Sequence, residues 1–458
     1  MSEGILQLNQ AVTKANHFPS PAASPLKAHP EPQFVPKVCQ SLEETGVSAS
    51  VLEPLIFKTL HFRGDVVGHE LAASLGLKFS IIEPLLDQMK RARQIDVRSS
   101  LGYGSVSATF TLSEAGRVRA RECLDVNQYF GTAPVSLEQY REGVRAQRQE
   151  RGWLTMDMLD QAYRHMVVTE AVINQIGPAA NAGKSFLLYG QPGNGKTYLA
   201  EAMFHLESTP IYVPYAIEYH GQIIRVYDPV YHRRLEAEPS ELSSLALEPT
   251  HDGRWVLCRR PFITTGGELT LDMLNLSYYP TAKFYDAPYQ VKANNGIYLV
   301  DDFGRQQCRP AEILNRWIVP MDRRVDYLSF VTGGKIEVPF ETFLVFSTNL
   351  RPEDLGDEAF LRRIDYKLFV RSPGEDEFVE IFRRFCVSNG LPFREPQVLN
   401  WIERHYRNGR RQLRRCHPRD VLTHALDLID FQRLPFDLTD DVLDQAFHSC
   451  FLEGEHEE

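Results

Sequence analysis

Gly190-Gln-Pro-Gly-Asn-Gly-Lys196-Thr197 fits G-x-x-x-x-G-K-[ST], the pattern of a glycine-rich loop that wraps phosphate groups. Before it, Lys184-Ser-Phe-Leu-Leu-Tyr189 is a short apolar run that reads as a buried strand. After it, Tyr198-Leu-Ala-Glu-Ala-Met-Phe204 reads as a helix. In that order, Gly190, Gly193 and Gly195 let the backbone turn tightly and aim its N–H groups at phosphate oxygens, with the positive end of the helix dipole behind them. Lys196 is expected to reach the β- and γ-phosphates of a nucleotide, and the Thr197 hydroxyl to bind Mg²⁺. Gln191, Pro192, Asn194 and Tyr198 complete the expected nucleotide-binding stretch.

Such a loop needs a carboxylate at the end of a neighbouring buried strand. Gly296-Ile-Tyr-Leu-Val-Asp301-Asp302 supplies one, four apolar residues followed by two acids. Asp301 is the candidate Mg²⁺ ligand, and Asp302 sits where a general base would orient the attacking water. Phe343-Leu-Val-Phe-Ser-Thr-Asn349 is a third buried strand ending in an amide, so Asn349 is a candidate to hydrogen-bond that water or the γ-phosphate.

The 458 residues suffice for two or three domains with full-sized cores. A hydrophobic content of 43% and a charged content of 24% are ordinary for soluble globular protein. The net charge of −10 argues against a chain-wide electrostatic grip on nucleic acid. Cys39, Cys123, Cys258, Cys308, Cys386, Cys416 and Cys450 are scattered and odd in number, which suits buried thiols in a reducing cytoplasm. No apolar run approaches the ~20 residues of a membrane helix and no signal-peptide pattern opens the chain, so a cytoplasmic protein without membrane insertion is expected.

Residues 1–38 form a polar arm rich in proline (Pro19, Pro21, Pro25, Pro30, Pro32, Pro36) and are expected to be disordered. Within residues 39–125, helices over Val51–His61, Gly68–Gly76 and Phe79–Arg93 precede strands at Ile95–Arg98 and Ser107–Leu112 and a further helix from Ser113. This order resembles a winged helix-turn-helix domain. Its third helix would enter the DNA major groove, but begins with the apolar and acidic run Ser80-Ile-Ile-Glu-Pro-Leu-Leu-Asp87. Protein contact is therefore favoured over DNA, which stays as the alternative. Residues 126–154 read as a polar linker.

With these motifs placed, the chain resembles the AAA+ ATPases. The matching features are the Walker A loop at 190–197, the Walker B strand at 297–302 and the sensor 1 residue Asn349. The resemblance implies an α/β fold: a P-loop NTPase core with a parallel sheet at 155–370 and an α-helical lid at 371–458, added to the N-terminal winged helix-turn-helix (α+β) domain. It also implies ATP and Mg²⁺ as ligands, and self-association into a ring, with a hexamer expected. An arginine finger would reach a neighbour's nucleotide; Arg362 and Arg363 are the candidates, against a solvated helix face. Arg419 is the sensor 2 candidate, against an ion pair with Asp420 or Asp427.

A hairpin between Asp326 and Pro339, and the helix-like Ile313–Asp322 before it, resemble the MoxR-like members of the pre-sensor-1 hairpin group. The group's usual second acid is Glu, so Asp302 is a departure that leaves slow hydrolysis open. A further departure is the 105-residue separation of Lys196 from Asp301, which holds a β-rich insert at about 215–290. The insert includes a hairpin-like run at 215–227, a helix at Leu269–Leu276 and an aromatic segment at 277–285, which would either line a pore or pack the insert. The expected activity is ATP-driven remodelling of a client, a protein in the favoured reading, with a DNA-directed ATPase or a slowly hydrolysing nucleotide switch as alternatives.

Overall fold

A computed structural model describes residues 31–100, 104–150, 152–206, 209–235, 250–356, 358–408 and 411–451. Its centre is a five-stranded sheet of β1 (Phe186–Tyr189), β2 (Phe262–Thr265), β3 (Ile297–Val300), β4 (Phe343–Thr348) and β5 (Tyr366–Phe369), in the order β2-β3-β4-β1-β5. All four pairings are parallel. Parallel strands are covered on both faces, which is why they read as continuous apolar runs; all six residues of β4 are buried. Leu188, Leu299 and Val345 enter one core with the helix Glu170–Ala182, while Leu187, Tyr298 and Phe346 enter the other with Trp317 of the helix Pro310–Arg323. The chain has the α/β P-loop NTPase fold. The carboxyl ends of β1, β3 and β4 lie together at one edge of the sheet, the usual ligand edge of such sheets.

Following β5, helices Glu375–Ser388, Glu395–Ile402, His417–Gln432 and Asp440–Cys450 close around Trp401, Phe382 and Leu443 as a separate helical core. At the other end of the chain, helices Ala49–Arg63, Gly68–Leu75, Phe79–Arg91 and Glu114–Val126 enclose a three-stranded antiparallel sheet. No described helix is long and apolar enough to cross a membrane.

The stretch expected to be a linker differs from that expectation. Val135–Ser136 joins the insert's sheet beside Ala216–Tyr219, and Leu137–Ala146 is a helix with a Ser136/Gln139 capping box. Its apolar residues Leu137, Tyr140 and Val144 recur on one helical face and are buried against the insert. That sheet is completed by Gln222–Arg225 and by the hairpin of Ser277–Tyr279 with Phe284–Asp286. The expected helix at Leu269–Leu276 is a single 3-10 turn, Asp272–Leu274. The reason is that its apolar residues serve two cores: Leu269 and Leu274 face the sheet, Leu276 the insert. The hairpin Val325–Ser329/Lys335–Pro339 is present, its Leu328, Ile336 and Val338 buried in the insert's core.

The proline-rich arm lies mostly outside the described residues. Its last part is fixed: the Pro36 carbonyl accepts from the Asp252 N–H (3.0 Å), and Phe34 meets the edge of Trp255. Beside this contact lies a buried ion pair. Arg254 is 0% exposed and donates to Asp252 (Nη2–Oδ2 2.7 Å), to the Thr45 carbonyl (2.7 Å) and to the Pro134 carbonyl (3.1 Å). Gly76 touches Gly253 so closely that a Cβ on Gly76 would lie 2.6 Å from the Gly253 backbone. The N-terminal unit is thereby tied to the insert.

Candidate nucleotide site

Residues 190–197 leave β1 as a loop and enter the helix Lys196–Ala202. Gly193 has φ +79° and a Cβ there would lie 2.7 Å from Cys416 Sγ; one on Gly190 would lie 2.5 Å from the Val370 carbonyl oxygen. Glycine is required at both positions, for left-handed backbone at the first and for close approach at both.

The loop folds around Lys196, which is 6% exposed. Its Nζ donates to the carbonyls of Gly190 (2.9 Å) and Gln191 (3.0 Å) and to Asn349 Oδ1 (2.6 Å). Burial holds its pKa below the usual lysine range, with Asp302 and Asp301 acting in the opposite sense. All three hydrogen bonds end on neutral oxygens, so the ammonium has no carboxylate partner among the described residues. A buried cation so placed is suited to receive an anion.

Thr197 Oγ1 donates to both oxygens of Asp301 (2.9 and 3.0 Å), bringing the predicted metal-binding pair together. Asp302 follows with φ +45°, a left-handed conformation that aspartate tolerates better than most residues. Asn349, at the end of β4, donates from Nδ2 to Asp302 Oδ1 (3.1 Å) while accepting from Lys196. Lys196, Thr197, Asp301, Asp302 and Asn349 thus form one connected cluster. Neutral acceptors around Lys196, a loop turned by glycines and a carboxylate–hydroxyl pair fit a nucleotide with its magnesium ion.

Sequence reasoning missed two supports of this cluster. Gln306 Nε2 donates to the carbonyls of Asp301 (3.0 Å) and Asp302 (3.2 Å), and its Oε1 accepts from the Gly304 N–H (2.7 Å), fixing the turn that carries both acids. Arg414 Nη1 donates to the Pro192 carbonyl (3.2 Å), and the Cys416 N–H to the Gly193 carbonyl (2.9 Å), so the lid rests on the phosphate loop. A glutamine in a turn and one arginine in the basic run 410–415 carry no motif of their own. Two further lid arginines contact the segment before the loop: Arg384 donates to the carbonyls of Arg164 and Met166, and Arg415 to that of Val167. Tyr198 meets His165 edge-on at 6.3 Å on the same side.

The remaining candidates pair with acids outside the cluster, though the charge of Arg419 acts on Tyr198 beside the loop. Arg419 pairs with Asp420 (2.9 Å), the competing partner named from sequence. Arg362 pairs with Glu358 (2.7 Å) and Arg363 with Asp322 (3.1 Å), beside the amino ends of β1 and β5, where Ser185 donates to the Arg363 carbonyl. Neither touches the phosphate loop of its own chain in these contacts.

Residues 374–449 match a family described as a domain of unknown function (DUF8689). No curated protein matches the chain. Among solved structures, NtrX from Brucella abortus in complex with ATP is similar at 14% identity, with 75% of this chain and 63% of that one covered and a TM-score of 0.36. The ADP complex of the same protein is 15% identical over 69% and 61%, at a TM-score of 0.35. A point mutant of Thermotoga maritima RuvB is 14% identical over 61% and 69%, at a TM-score of 0.36. The chain spans less than two thirds of the NtrX chains it matches. These are likenesses of part of a fold.

Proposed function

We propose that the chain is an AAA+ ATPase that binds ATP with Mg²⁺, hydrolyses it, and works as a ring on a macromolecular client, a protein. The observation that carries the nucleotide reading is Lys196, buried with only neutral acceptors next to the Thr197–Asp301 pair. On binding, Lys196 exchanges these acceptors for β- and γ-phosphate oxygens, and the loop N–H groups complete the cradle. Thr197 and Asp301 hold the magnesium ion, which supplies positive charge to the phosphate oxygens. Asp302, oriented by Asn349, positions the attacking water and accepts its proton. Arg362 or Arg363 acts on the nucleotide of a neighbouring copy; both lie away from their own site, which supports a ring. A hexamer, the MoxR-like subgroup and an N-terminal winged-helix domain complete the reading.

A slowly hydrolysing switch is the second reading. Asp302 is one methylene shorter than glutamate, and its carboxylate is already engaged by Asn349. The test is Mg²⁺-dependent phosphate release across a protein concentration series, with Lys196→Ala as control. Turnover per chain that rises with concentration and vanishes in the variant supports the ring ATPase. Tight ATP binding with turnover no greater than the variant's would leave the switch.

A further inference from the structure

A cavity of about 110 Å³ opens at the amino ends of the core strands. Phe262, Ile297 and Phe343, the first residues of β2, β3 and β4, line it, whereas Asp301 and Asn349 follow the opposite ends of β3 and β4. At ~3.3 Å per residue, a strand length of roughly 13–20 Å separates it from the nucleotide site. Trp153 and Phe204 give it an aromatic lining.

Its polar lining is cationic. Arg260 is deeply buried, which pushes its pKa down to about 10. The guanidinium donates to the carbonyls of Thr209 (3.0 Å), Asn295 (2.8 Å) and Gln147 (3.0 Å) and to Thr209 Oγ1 (3.0 Å), all neutral, and no described carboxylate pairs with it. Arg148 stands 3.5 Å from Glu341, the one acid in the lining. That carboxylate also lies in the field of Arg324 and Arg145. Within the lining one acid, Glu341, stands against two arginines, Arg148 and Arg260, while Arg324 outside it is shared with Asp365. Buried charges are ordinarily paired, so the surplus favours an anion.

We propose that this cavity binds a small aromatic carboxylate. Its carboxylate meets Arg260 and Arg148, and its ring lies against Trp153 and Phe204. At about 110 Å³, below the roughly 150 Å³ that encloses benzene, the space takes at most one ring entering from its open side and excludes a nucleotide.

The test is calorimetric titration of the full chain with 4-hydroxybenzoate, with 4-hydroxybenzyl alcohol as the uncharged comparator. The acid is expected to bind at least about tenfold more tightly than the alcohol, with ATP not competing. Arg148→Glu, a change at a mostly exposed side chain, should weaken the acid about tenfold. Ala182→Phe, which fills the cavity, should abolish binding. No heat at millimolar acid, equal binding of the alcohol, competition by ATP, or unchanged affinity in both folded variants would each overturn the proposal.

Discussion

Arg254 offers the sharpest energetic test of how the N-terminal unit is held. Its guanidinium is 0% exposed, and Asp252 beside it is 4% exposed. Arg254→Met removes two hydrogen bonds to Asp252 through Nε and a third through Nη2. It also strips the donors from the buried carbonyls of Thr45 and Pro134. Asp252 keeps the N–H of residue 254 but loses its counter-charge. Removing one partner of a buried pair costs about 3–5 kcal/mol, whereas replacing both by apolar groups of similar volume is often close to neutral. The double change Arg254→Met/Asp252→Leu should therefore recover the part of the loss due to the uncompensated Asp252 charge, leaving the cost of the two carbonyls. Urea denaturation followed by tryptophan fluorescence reads it, since Trp255 adjoins the pair. A single-variant cost below about 1 kcal/mol, or a double variant as unstable as the sum of both singles, would refute the claim that this pair locks the N-terminal unit to the insert.

Three further outcomes are expected. Burial pushes the His417 pKa to about 4 in the lid, below its ordinary 6.5, so the unfolded chain binds the proton first as pH falls. Stability is then lost between pH 6.5 and about 4; His417→Phe should flatten that slope in thermal melts. Gly193→Ala strains a φ of +79° and drives a methyl into Cys416, so the lid should lift from the loop. The loss should be about 1–2 kcal/mol in stability, together with weaker ATP affinity in titration. Asp302→Glu should raise steady-state phosphate release manyfold if the short carboxylate limits turnover; unchanged turnover would clear Asp302 of that role.

What could be read from the residues was local or periodic. The phosphate loop is eight contiguous residues, β3 is an apolar run ending at Asp301, and β4 opens with four apolar residues before Ser347, Thr348 and Asn349, so the cluster assembled from strand ends alone. The hairpin at 325–339 was legible for the same reason. Residues 135–146 escaped because charges at Glu138, Arg141, Glu142 and Arg145 masked the apolar face of Leu137, Tyr140 and Val144. Contacts across hundreds of residues left no trace in sequence: Arg254 with Thr45, Arg414 with Pro192, and the cavity around Arg260.

That Lys196 and its loop form a nucleotide site is tested most directly by equilibrium titration of ATP, with and without Mg²⁺, into the wild-type chain and into Lys196→Ala. Binding should be strengthened by Mg²⁺ through Thr197 and Asp301. It should weaken by at least about tenfold in the variant, as expected for the loss of a charge-assisted phosphate contact. Equal ATP affinity in the two proteins would contradict the assignment.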